Sequence, residues 1–134
     1  MSRKVFLICV VVFCVKCVYA QFDANTTIRN KQRVNYIYNF TGYITWSNLE
    51  EKEAFKIGVF GNDKAALIKE FREVAIRKKI KNLPVEVVHI TSVDQIKAVE
   101  ILYIHKDDKL GIEAILPRLA MSEILLVSEN YPFR

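Results

Sequence analysis

Val34, Ile37, Tyr38, Thr41 and Ile44 recur at intervals of three and four residues, which places them on one face of a helix. The pattern opens at Lys31 and closes near Trp46, where Ser47-Asn48 stop it; the polar, turn-rich stretch before it, Gln21 to Asn30, reads as a flexible arm. The period then changes. Phe55-Lys56-Ile57-Gly58-Val59-Phe60 has the length and apolar content of a buried strand and is closed by Gly61-Asn62. Asp63 stands where a residue would cap a second helix running to about Lys79, with Ala66, Leu67, Phe71, Val74 and Ala75 facing inward. Pro84 precedes a second strand, Val85 to Ile90, and Thr91-Ser92 caps a short helical turn carrying Val93, Ile96 and Ala98. A third strand spans Ile101 to His105. Asp107 or Asp108 then caps a helix to about Ala120, bent or shortened at Pro117, and Ile124 to Val127 forms the last strand. Short apolar runs alternating with amphipathic helices mean strands buried on both faces, hence a parallel sheet with right-handed crossovers. The expected fold is α/β: an N-terminal helix followed by a Rossmann-like parallel sheet of about four strands flanked by helices, in one domain over residues 31–134.

The first 20 residues stand apart from this pattern. Arg3 and Lys4 make a basic start, Val5 to Val15 is an uninterrupted apolar run, and Val18-Tyr19-Ala20 offers the small residues of a signal-peptidase site. Residues 1–20 therefore read as a signal peptide cleaved after Ala20. The apolar run is too short for a membrane span, which needs about 20 residues, and Lys16 interrupts it, so no stable membrane insertion is expected. All three cysteines, Cys9, Cys14 and Cys17, fall in this leader, so the exported chain would hold no thiol and no disulfide. Composition changes with it. The chain carries 20 basic and 15 acidic residues, three of the basic ones (Arg3, Lys4 and Lys16) in the leader, so the exported part has a net charge near +2. That balance argues against a nucleic-acid binder, which would show a basic patch or stripe.

Several strings in this order resemble the YfiR family of periplasmic proteins. They are Tyr38-Asn39-Phe40 followed by Trp46, then Phe55 to Gly61, Ile101-Leu102-Tyr103-Ile104, and Ile124 to Glu129. The resemblance departs at Ser47, where the family usually has proline, and at the end of the chain. Family members continue past the final strand into a further strand pair and helix, whereas this sequence ends at Arg134, and the domain is expected to lack those C-terminal strands. The resemblance implies a periplasmic, non-enzymatic regulator without a cofactor. It would bind and repress the periplasmic sensor part of an inner-membrane diguanylate cyclase and so lower cyclic-di-GMP output and biofilm formation. Tyr38, Asn39, Trp46 and Gly61 are then family-motif residues with a structural role.

Five aromatics in eleven residues, Tyr36, Tyr38, Phe40, Tyr43 and Trp46, exceed what one inward stripe can bury. Tyr36, Phe40 and Tyr43 are the candidate partner-binding residues, for a receptor or for a second copy in a homodimer, because interfaces are enriched in aromatics. The alternative function is a periplasmic small-ligand binding or sensor-input module, with Asn62, Thr91, His105 and Ser128 at the carboxyl edge of the sheet. His89 and His105, on what could be neighbouring strands, with Asp107 as a third ligand, are a weak start to a zinc site, and no metal is expected. Gly58 to Asp63 is neither a dinucleotide fingerprint nor a phosphate loop. The acids after three strands, Asp63, Asp107 with Asp108, and Glu129, read as helix caps rather than as a receiver site. No catalytic residue is identified. Arg77-Lys78-Lys79-Ile80-Lys81 is the densest basic run, a solvated helix end or a contact with anionic lipid or an acidic receptor surface.

Overall fold

The computed structural model describes residues 24–105 and 112–129. The stretch expected to be a signal peptide, with its expected cleavage site, and the acids Asp107 and Asp108 lie outside the described residues. Four strands form one sheet: β1 (Phe55–Phe60), β2 (Val85–Ile90), β3 (Ile101–Ile104) and β4 (Leu125–Ser128). They are ordered β2-β1-β3-β4 and all parallel, with Val59 opposite both His89 and Tyr103, and Ile101 opposite Leu125. The helices are α1 (residues 24–41), α2 (Ala65–Ala75) and α3 (Ile112–Leu119), with short 3-10 turns at Leu49–Glu51 and Val93–Gln95. The fold is the expected one: an α/β domain with a helix ahead of a four-stranded parallel sheet that is covered on both faces.

The period of two along each strand explains the two cores. Phe55, Ile57 and Val59 of β1, with Ile101 and Tyr103 of β3, face Val34, Ile37 and Tyr38 of α1 and Leu67, Ile68 and Phe71 of α2. Phe60, Ile90, Leu102 and Ile104 face the other way and meet Ile115 of α3, with Val93 and Ile96 from the turn after β2. The chain leaves β2 at one edge, passes β1 and re-enters at β3, which puts α2 and α3 on opposite faces. β1 and β3 are central and apolar on both sides, as parallel strands must be. Gly58 lets β1 and its neighbours pack closely: a Cβ there would stand 2.6 Å from Cδ1 of Ile90.

Several local expectations are corrected. Residues 24–30, read as an arm, are the first turns of α1; their polar side chains are exposed, and Asn30 alone among them is buried. The helix stops at 41 rather than near Trp46, because Gly42 and Tyr43 close a turn through their N–H groups on the carbonyls of Asn39 and Phe40, at 3.2 and 3.1 Å. Asp63 does not cap α2. It takes a left-handed conformation (φ 53°), Lys64 is the N-cap, and no side chain caps that end. Ile68 is buried and Ala66 exposed, so the inward stripe is shifted from the predicted one. The helix ends at Ala75, four residues before Lys79, and the chain turns back through a bridge between Ile80 and Leu83. Pro117 lies inside α3. At Ser92 the expected cap is present, as a capping box with Gln95.

Candidate functional site

Helix α1 carries two kinds of face. Asn30, Val34, Ile37, Tyr38 and Thr41 point at the sheet and are buried. Tyr36 and Phe40, four residues apart on one flank, are 76% and 53% exposed, and Tyr43 just beyond the helix is 89% exposed. Single exposed apolar residues are ordinary; here three exposed aromatics fall within eight residues towards one end of the helix. The structure thus separates the aromatic cluster cleanly: Tyr38 and Trp46 turn inward, Tyr36, Phe40 and Tyr43 outward.

The inward pair is fixed by polar and ring contacts. Burial pushes the Tyr38 phenol up to about 12, so it stays protonated, and its hydroxyl donates to the carbonyl of Phe71 at 3.4 Å, joining α1 to α2. Trp46 is half-buried, donates Nε1–H to the carbonyl of Thr41 at 3.3 Å, and meets Phe55 edge to face with ring centroids 4.9 Å apart. Asn39 is exposed, and its carbonyl closes the end of α1. Gly61 has φ 113°, a conformation that favours glycine; its N–H bonds the carbonyl of Ile90 at 2.9 Å and its carbonyl meets Nε2 of His89 at 2.7 Å.

A polar cluster ties α1 to the carboxyl edge of the sheet. Glu129, just past β4, accepts from Nε of Arg33 in α1, from Nη2 of Arg33 at 3.2 Å and from the Tyr103 hydroxyl at 2.8 Å, with Nε2 of His105 at 3.8 Å. Asn30 orients the same guanidinium through Oδ1 at 3.0 Å. Burial alone would raise the Glu129 carboxyl; the hydrogen bonds from Arg33 and Tyr103, with the charges of Arg33 and His105, outweigh it and hold the carboxyl below its ordinary value. At the opposite edge, buried Glu100 accepts from Nζ of Lys52 and from the backbone N–H of Lys56, joining the starts of β1 and β3.

The four carboxyl-edge candidates stand at or just past the ends of four neighbouring strands. Asn62 and Thr91 follow the paired strands β1 and β2, and Thr91 is engaged by Gln95 through its N–H at 2.8 Å and its hydroxyl at 3.1 Å. His105 follows β3 and Ser128 ends β4, and His105 faces Glu129. None of the four lines the groove of about 610 Å³ beside α2 and His89, or the cleft of about 480 Å³ between Trp46 and Ser122. His89 and His105 are not on neighbouring strands, since β1 lies between β2 and β3. Among the described residues, no three His, Cys, Asp or Glu side chains gather as a metal site, and Asp107 lies outside them. Among the described residues, no helix is long and apolar enough to cross a membrane.

The sequence reading missed the Arg33–Glu129 pair. Glu129 was visible only as an acid after a strand, and its partner stands 96 positions away. The sequence model of the YfiR/HmsC-like family matches residues 30–134, which covers α1 from Asn30 and the whole sheet. No curated protein and no solved structure matches the chain.

Proposed function

Because the chain belongs to the YfiR/HmsC-like family, we propose that it is a periplasmic, non-enzymatic regulator of cyclic-di-GMP signalling that binds and represses the periplasmic sensor part of an inner-membrane diguanylate cyclase. The observation that carries the contact mechanism is the outward aromatic flank of α1, Tyr36, Phe40 and Tyr43, on a helix that Tyr38 and Arg33 hold firmly to the body. Exposed aromatics on a rigid support supply large contact area at little entropic cost, which suits a docking surface. Repression then needs no reacting group. A bound protein shifts its receptor only by the difference in its affinity for the active and inactive states. A hundredfold preference for the inactive state corresponds to about 2.7 kcal/mol, which a few well-seated aromatics can provide.

The reading also supposes export, with cleavage after Ala20 delivering the domain to the compartment where the receptor's sensor part lies. The test is genetic and biochemical together. The full exported chain should co-purify with the periplasmic part of a diguanylate cyclase from the same cell, and a strain lacking it should hold more cyclic-di-GMP. Unchanged cyclic-di-GMP in that strain, or recovery of the unprocessed chain from the cytosol, would contradict the reading.

A further inference from the structure

Helix α2 ends beside an unexpected residue: Ile76, its C-cap, is 86% exposed. Arg72, Arg77, Lys78, Lys79 and Lys81 surround it in the sequence and are all exposed, with Glu73 the one acid between positions 72 and 81. The turn bearing them is firmly built. Ile80 is buried, its N–H and carbonyl pair with Leu83 at 3.0 and 2.9 Å, and Lys81 and Asn82 adopt the left-handed conformation (φ 49° and 70°) that reverses the chain. Nζ of Lys81 donates to the carbonyl of Gly42 at 3.4 Å, which sets the basic turn against the end of α1, one residue from exposed Tyr43.

Complementing the helix dipole accounts for a cation in the last turn, here Arg72, but not for four more beyond the helix end or for an aliphatic side chain left in water among them. An anionic lipid surface matches both parts at once. Its phosphates attract the cations, and its acyl boundary takes the isoleucine. A protein partner would have to supply acids and a socket for Ile76 together.

We propose that the end of α2 and the turn after it dock peripherally on an anionic phospholipid surface, Ile76 dipping into the interface and Arg77, Lys78, Lys79 and Lys81 meeting headgroup phosphates. This stands on the charge, exposure and contacts just described, independently of the cyclase reading. Because Lys81 touches Gly42, the lipid-facing surface adjoins the aromatic flank of α1, and a chain lying on the membrane presents that flank to a receptor rooted in the same membrane.

Vesicle co-sedimentation of the full exported chain tests the proposal without a receptor. The chain sediments with vesicles of phosphatidylethanolamine and phosphatidylglycerol, less so as salt rises, and stays in solution with phosphatidylcholine alone. Each cation near an anionic surface is worth roughly fivefold in partitioning, so Arg77→Gln/Lys78→Gln/Lys79→Gln lowers binding roughly a hundredfold. Ile76→Ser lowers it several-fold with the charges intact. No sedimentation, equal sedimentation on both lipids, or unaltered binding by both variants overturns the proposal. So does a triple variant that loses capture of a cyclase sensor part while the wild type ignores vesicles, which would give these cations to a protein.

Discussion

Glu129 shows how one side chain can set the position of a whole helix. It gathers Arg33 from α1 and Tyr103 from β3 on a single carboxylate, at the edge of the sheet rather than in its core. Its folded-state ionisation lies below the ordinary carboxylate value, so it favours the folded state above the unfolded value, and that contribution is lost as pH falls through the depressed folded one. Glu129→Gln should therefore lower unfolding stability by about 1–2 kcal/mol near neutral pH, a figure reduced for partial exposure of the pair. In urea melts taken from neutral to acid pH, the gap between variant and wild type should close; an equal gap at every pH would contradict the assignment. The aromatic residues divide by the same logic. Trp46→Ala should cost about 2 kcal/mol, less than the loss from a fully buried ring because Trp46 is half-buried. Tyr36→Ala and Tyr43→Ala should leave the thermal melt where it was, since both rings stand in solvent.

The strands were the elements most readable in the sequence, and the reason is physical. Each is a short, mostly apolar run, β1 and β3 buried on both faces and the edge strands β2 and β4 in part, so β1 and β2 fall where the apolar blocks predict, and β3 and β4 differ by a residue at their ends. Helix boundaries were less readable. Residues 24–29 have the composition of a loop but continue α1, whose inward stripe, from Asn30 to Thr41, anchors the whole helix. Asp63 had the chemistry of a cap but sits one residue too early, in a left-handed turn that only the strand-to-helix geometry reveals. Of the candidate contact surface, the crowding of aromatics was legible, while the choice of which face inward depended on the sheet they pack against. The Glu129 cluster depends on long-range folding altogether. Strand spacing offers its own test. Gly58→Ala would press its new Cβ on Cδ1 of Ile90 and should cost about 1–3 kcal/mol. Removing that Cδ1 with Ile90→Val should make the double variant less destabilised than the sum of the two single changes, and simple additivity would argue against the close approach.

At the scale of the molecule, the domain presents two exposed surfaces that adjoin at Gly42: the aromatic flank of α1 and the basic turn after α2. Both are borne by elements whose opposite sides are anchored in the core, through Val34, Ile37 and Tyr38 in one case and Ile80 in the other. That arrangement suits a protein that acts by being held against something, with a stable body and side chains left over for contact. Family membership gives the contact its proposed partner. The central claim is tested most directly by calorimetric titration of the full exported chain into the purified periplasmic part of the cyclase, alongside Tyr36→Ala/Phe40→Ala. Saturable binding that the double change weakens about thirtyfold or more, with both chains melting at the same temperature, is the expected result. Binding that the double change leaves intact, or no binding by the wild type, would contradict it.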